Sequence, residues 1–207
     1  MSNVFKEMLE LRYLYLPLRI SGSTKLELGN LLKLEMLTHF SNDSSVPDLN
    51  RMTRLRSLCI LINDEGWRME TLSSTLSKLG NLEDLTILSP VHFVPDAFLP
   101  KNKQPKLIYR QMLPDVEHFP SHLTTLYLKD CFLEEDLMPI LETLQQLTLV
   151  SLWTNAYVGK RMICSGGGFP QLRKLFISGL KEWEKWIVEE GTMPRLYSLS
   201  IYVIVTS

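Results

Sequence analysis

The phrase L-x-x-L-x-L, an apolar ladder of six positions, returns eight times along these 207 residues. It reads Leu11-Leu14-Leu16, Leu34-Leu37-His39, Leu55-Leu58-Ile60 and Leu82-Leu85-Ile87, then Leu123-Leu126-Leu128, Leu147-Val150-Leu152, Leu172-Leu175-Ile177 and Leu196-Leu199-Ile201. The middle residues are spaced by 23, 21, 27, 41, 24, 25 and 24. The 41 is nearly two periods, and a degenerate rung, Leu107-x-Tyr109, divides it into 22 and 19 and makes nine rungs. Two apolar residues spaced by two point to one side of an extended segment. One rung cannot bury that side alone, so each stacks on the next to build a continuous core. The period therefore predicts an array and excludes a globule with one central core.

Phrase and interval are those of the leucine-rich repeat. The expected fold is an α/β solenoid over residues 1–207 as one domain. It is curved, with parallel strands on its concave face and short helices, 3₁₀ turns and loops on its convex face. Strands are expected around Tyr13–Leu16, Ser57–Ile60, Asp84–Ile87, Thr125–Leu128, Ser151–Trp153, Lys174–Ile177 and Ser198–Ile201, with His39 a polar side chain at an inward position. Ladder positions should be buried and the residues between them exposed. Position nine of the repeat often carries Asn or Cys, which satisfies backbone groups at the turn; Asn155 and Cys131 stand there in their rungs.

Between the ladders, Lys25–Lys33 reads as a short helical or 3₁₀ turn, and Met69–Lys78 places Leu72 and Leu76 at helical spacing. Glu134–Leu144 is the best helix candidate, with acidic residues at its start and Pro139 confined to its first turn. Trp183–Glu190 is another short amphipathic stretch, closed by Gly191. Residues 89–118, with Pro90, Pro95, Pro100, Pro105 and Pro114, form a degenerate region: a loop excursion or an eroded repeat.

A net charge of −1 gives no electrostatic reason to expect nucleic acid or an anionic membrane as partner. No apolar run approaches the ~20 residues of a membrane span, and the first residues lack the apolar core of a secretory signal. Cys59, Cys131 and Cys164 are odd in number and far apart, so no disulfide framework is implied and a cytoplasmic location is expected.

No arrangement of residues calls for catalysis, a metal or a cofactor. His118 and His122 are four apart, but Pro120 between them opposes the helix that would align them as ligands. The triplet Gly166-Gly167-Gly168 is followed by no Lys-Ser/Thr, and reads as a flexible turn in place of a phosphate cradle. Cys131 fits the repeat's own Cys position and Cys59 sits between Leu58 and Ile60, so both are expected to be structural and not nucleophiles. Glu134/Glu135 and Glu189/Glu190 are adjacent, solvated pairs.

Positions three, five and seven of the rungs carry the more informative residues. Tyr13, Tyr15, Thr38, Asp84, Tyr127, Lys129, Trp153, Lys174, Phe176 and Tyr202 are the expected partner-binding set. Aromatics spread over an open face suit a protein interface, whose centre they enrich. Phe40, Leu61 and Ser151 fall at the same outward positions. Position two alternates Arg12, Glu35, Arg56, Glu83, a charge ladder along one edge whose exposed pairs are worth under ~1 kcal/mol each.

The segments FKEMLELRYLYLPL, KLELGNLLKLEML, METLSSTLSKLGNLEDL, EEDLMPILETL, GGGFPQLRKL and KEWEKWIVEEGTMPRLYSL carry a more specific likeness. They resemble the leucine-rich-repeat region of plant coiled-coil, nucleotide-binding disease resistance proteins, nearest to the downy-mildew resistance subfamily of crucifers. The string Trp186-Ile187-Val188-Glu189-Glu190-Gly191 is its most specific part. The resemblance implies innate immune sensing: recognition of a pathogen effector, a guarded host protein or a domain of the resistance receptor. The chain has no G-x-x-x-x-G-K-[ST] and no preceding coiled coil, so it reads as a truncated sensor without its nucleotide switch. The rivals are a substrate-recruiting subunit of a ubiquitin ligase, which needs an N-terminal helical module, and a non-functional receptor fragment.

Overall fold

A computed structural model describes residues 4–18, 26–41, 45–62, 69–89 and 118–202. Eight parallel strands form one sheet, and each comes from one ladder phrase: β1 (Tyr13–Tyr15), β2 (Met36–Phe40), β3 (Ser57–Leu61), β4 (Asp84–Leu88), β5 (Thr125–Lys129), β6 (Leu149–Trp153), β8 (Lys174–Ser178) and β10 (Ser198–Tyr202). Rung stands beside rung in chain order. Asp84 pairs Thr125 directly, so β4 and β5 are neighbours although 41 residues separate them. Leu107 and Tyr109 lie outside the described residues.

Alternation within each strand drives one side chain in two into the core. Leu58, Leu85, Leu126, Val150 and Leu175 form one inward row, and Ile60, Ile87, Leu128, Leu152 and Ile177 another, all essentially inaccessible. Each such side chain contributes about 1.5–3 kcal/mol when taken from water, and the whole forms one cluster from Leu14 to Met193. In the last rung Leu199 and Ile201 remain 48% and 40% exposed, since among the described residues no strand stacks on β10. At the other end the 3₁₀ turn Val4–Glu7 lays Phe5 against the core.

The second rung departs from the pattern. His39 adopts φ 61°, a left-handed conformation, and the β2–β3 register shifts between Leu37 and Phe40. This bulge puts Phe40, not His39, opposite Ile60 and wholly inside. His39 turns out, and its Nδ1 lies 2.8 Å from the Leu16 carbonyl oxygen, to which it donates. An imidazole in the apolar stack would lose its water without gaining a partner; the bulge exchanges it for a phenyl ring. Leu61, expected to face outward, is likewise buried.

The convex side also corrects two readings. Helices α1 (Val46–Leu49) and α2 (Met69–Leu76) fall on this side, and α2 buries Leu72 and Leu76 as its spacing predicts. The helix expected over Glu134–Leu144 shrinks to α3 (Met138–Leu141), with Pro139 in its first turn. Its acidic lead is used otherwise: Asp136 accepts hydrogen bonds from Met138 N (3.0 Å) and, one turn on, Ile163 N (2.7 Å). The stretch Trp183–Glu190 is no helix. Its core is strand β9 (Lys185–Val188), parallel to β7 (Arg161–Cys164) in a second two-stranded sheet. Trp186 Nε1 donates to Cys164 Sγ at 3.3 Å and fixes that pairing.

Leaving the strand requires left-handed backbone, which Asp, Asn and Gly tolerate best. Asp130 (φ 54°), Asn155 (φ 51°) and Gly179 (φ 70°) supply it in successive rungs. Their amides continue the ladder through the turn: Asp130 N to Thr154 O, Asn155 N to Gly179 O, Gly179 N to Tyr202 O. Cys131 is sealed beneath, its thiol directed at the Lys129 and Ile87 carbonyls. Asn155 instead donates to the Asp130 carboxylate at 3.2 Å.

Candidate functional site

The sheet face opposite the core carries all the side chains expected to bind. Tyr13 and Tyr15 stand on β1, Thr38 on β2, Asp84 on β4, Tyr127 and Lys129 on β5, Trp153 on β6, Lys174 and Phe176 on β8, and Tyr202 on β10. Each adjoins a ladder residue, buried in every rung but the last, so alternation alone aims it outward.

The rings on the last four strands are not scattered. Tyr127 and Trp153 stack with centroids 6.0 Å apart, Trp153 and Phe176 at 4.4 Å, and Phe176 and Tyr202 at 5.4 Å. The contacts arise because the rings alternate between positions five and seven, so each leans diagonally onto its neighbour. Interplanar angles of 27° and 21° for the first two pairs are close to stacking, worth about 0.5–1.5 kcal/mol each beyond burial. Sequence reasoning found the rings but not their contact. Ser151, expected on the surface, is buried beneath Trp153 and accepts its Nε1–H at 2.8 Å. The indole is thereby held in one orientation, and burial pushes the Tyr127 phenol above its usual range, assisted by Asp130 and Cys59.

Tyr13 and Tyr15 form a separate aromatic edge. Tyr15 is 68% exposed and leans towards β2, its hydroxyl 3.1 Å from Met36 Sδ. Along the edge beside it runs the position-two ladder: Arg12 Nη1 lies 3.6 Å from Glu35 Oε1 and Arg56 Nη1 lies 2.8 Å from Glu83 Oε1. The series then turns to hydroxyls, Thr124 Oγ1 donating to Glu83 O and Thr148 Oγ1 to Thr124 O.

The remaining candidates are elsewhere. His118 and His122 lie in the exposed turn before β5, and His122 lines a shallow cleft with Asn81, Glu83 and Gln146. Among the described residues no group of three or more His, Cys, Asp or Glu is placed to hold a metal. The glycine triplet lies on the convex side, where Gly166 N donates to Glu189 Oε2 and Gly168 N to the Ser165 carbonyl, while the preceding Ser165 N donates to Glu142 Oε1. Burial pushes the Cys131 thiol up to about 12 and Cys164 to about 11, and raises Cys59. None is a ready nucleophile, since the thiolate is the reactive form. No helix among the described residues is long and apolar enough to cross a membrane.

Comparison with known proteins gives the same architecture. Residues 2–207 match the family model described as a leucine-rich repeat region. The chain is 66% identical over 200 residues to a protein of Arabidopsis thaliana named for disease resistance, At1g59780, covering 96% of this chain and 21% of that protein. It is 48% identical over 209 residues to the disease resistance protein RPP8 of the same plant, covering 96% of this chain and 23% of that one. The chain thus spans less than a quarter of the length of these two relatives. The crystal structure of a TLR13–ssRNA13 complex aligns over 96% of this chain and 37% of that one, at 16% identity and a TM-score of 0.40, too slight a likeness to argue from. The match over nearly every residue and the ladder of parallel strands agree: the chain belongs to the leucine-rich repeat region family.

Proposed function

We propose that this chain is a protein-recognition module of plant innate immunity, and that its concave face binds the partner. The observation that carries the reading is the stack Tyr127–Trp153–Phe176–Tyr202 on a sheet face over which no element among the described residues packs. A face built of half-buried rings, held by Ser151 and by each other, has little rotamer freedom left to lose on binding. It offers area and shape but no reacting group, so the chain acts by binding and not by catalysis, without nucleic acid or a cofactor. Similarity to proteins named for disease resistance supports the immune setting. The partner classes are a pathogen effector, a guarded host protein or a domain of a resistance receptor. Three free thiols fit a cytoplasmic setting.

The test is co-purification from plant tissue challenged with a pathogen, comparing the native chain with Trp153→Ala. An effector, an effector-modified host protein or a nucleotide-binding receptor domain should co-purify with the native chain and drop at least tenfold with the variant. A cullin adaptor as the specific partner, or binding indifferent to Trp153, Tyr127 and Phe176, overturns the reading.

A further inference from the structure

Between the two aromatic regions the concave face is low. The outward positions of β3 and β4 are Ser57, Cys59, Asp84, Thr86 and, at the far end, Leu88; all but Leu88 carry short side chains. On one side Tyr15 rests on Met36 of β2; on the other the ring stack begins at Tyr127 of β5. With strands ~4.8 Å apart, β2 and β5 are roughly 14 Å apart, so a trough lies between them, walled by Met36 with Tyr15 resting on it and by Tyr127, and low along its floor except at Leu88.

Asp84 is the one charged residue on that floor. It is half-buried, and its strand neighbours in register are Ser57 and Thr125, neither of which can neutralise it. Among the described residues its carboxylate has no hydrogen bond or ion pair, whereas Glu35 and Glu83 on the adjacent row are paired with Arg12 and Arg56. The cations on the same face are distant: Lys129 is four residues beyond Thr125, roughly 13 Å along β5, and Lys174 is three strands away, roughly 14 Å. A partner that closes the trough removes water from this carboxylate, which is costly unless the partner supplies a cation.

We infer that Asp84 anchors a basic side chain of the partner protein at the floor of the trough, with a neighbouring apolar side chain of the same segment against Tyr127. Tyr127 stands one strand over and two residues along from Asp84, roughly 8 Å away. That spacing matches side chains two apart on an extended segment, or one turn apart on a helix. This assignment rests on the concave face being the binding face, and adds the chemistry it selects.

The probe is a phage-displayed library of random 12-residue peptides panned on the full chain, followed by anisotropy titration of a synthesised winner. Bound peptides should carry Lys or Arg at least tenfold more often than Asp or Glu, at a fixed distance from an aromatic or aliphatic residue. Asp84→Asn should weaken the winner about tenfold, the loss of one charge-assisted contact, while Glu83→Gln leaves it within twofold. Asp84→Lys should abolish binding, and exchanging the peptide's basic residue for Glu should restore it, a rescue that misfolding cannot produce. Enrichment without a basic residue, or indifference to Asp84→Asn with binding still lost in Trp153→Ala, overturns the anchor and leaves the binding face standing. A library from which nothing binds overturns both.

Discussion

Replacing Phe40 separates the structure from the ladder pattern that predicts the opposite side chain inside. Phe40 is fully buried against Ile60, and a phenylalanine of this kind removes roughly 150–250 Å² from water. At about 25 cal/mol per Å² that is ~4–6 kcal/mol, of which a methyl group keeps a small part. Phe40→Ala should therefore cost about 3–5 kcal/mol, in the range of such core truncations. His39→Gly should cost far less: the lost hydrogen bond to Leu16 O is worth ~1 kcal/mol, and relief of the left-handed backbone returns a comparable amount. Urea unfolding followed by far-UV circular dichroism measures both. Because arrays couple only neighbouring repeats, amide exchange should show the Phe40→Ala damage concentrated in β1, β2 and β3. A costly His39→Gly beside a nearly neutral Phe40→Ala would refute the bulge and restore the unshifted ladder.

Two further outcomes follow from the sealed thiols and the glycine turn. The folded Cys131 thiol titrates near 12, raised by burial from an ordinary 9.0, so its contribution to stability is complete below about pH 9 and is lost as pH rises towards 12; a thiol reagent at pH 8 should modify Cys59 first and reach Cys131 only in urea, and prompt labelling of Cys131 in the native chain contradicts this. A methyl group at Gly168 would come within 2.6 Å of the Glu142 carboxyl carbon, so Gly168→Ala should displace that carboxylate from Ser165 N and lower stability by about 1–3 kcal/mol; pairing it with Glu142→Ala should give much less than the sum in thermal unfolding, and simple additivity would show the two do not meet.

The rungs are legible because their period is a property of spacing alone: all eight strands of the main sheet fall on ladder phrases, although the one expected over Ser151–Trp153 begins at Leu149 and β7 and β9 come from no rung. What spacing does not encode is a backbone switch. The His39 bulge depends on one residue taking a left-handed φ, and the signal available was Phe40, a large apolar residue one place late. The strand Lys185–Val188 is hidden in the stretch Trp183–Glu190 because two tryptophans three apart satisfy a helical face, whereas in the fold Trp186 reaches the Cys164 thiol across a parallel pair. In the Glu134–Leu144 segment the acidic lead has the composition of a helix start, but Asp136 instead secures the next turn's amide. Alternation gives the outward-facing residues, but not the stacking of their rings, since diagonal contact depends on the lateral distance between strands.

The direct pairing of Asp84 with Thr125 has a kinetic meaning. The other strand pairings of the main sheet close chain lengths of 21 to 27 residues, and this one closes 41. Extending the closure by less than a doubling raises its entropic cost by under about 0.6 kcal/mol, so the equilibrium fold scarcely registers the longer connection. Assembly registers it more, because a zipper that nucleates in either half advances by short closures until it reaches this seam. The array should then fold as two blocks, β1–β4 and β5–β10, joined last at the β4–β5 step. The same seam lets length accumulate between the blocks without changing the register on either side of it.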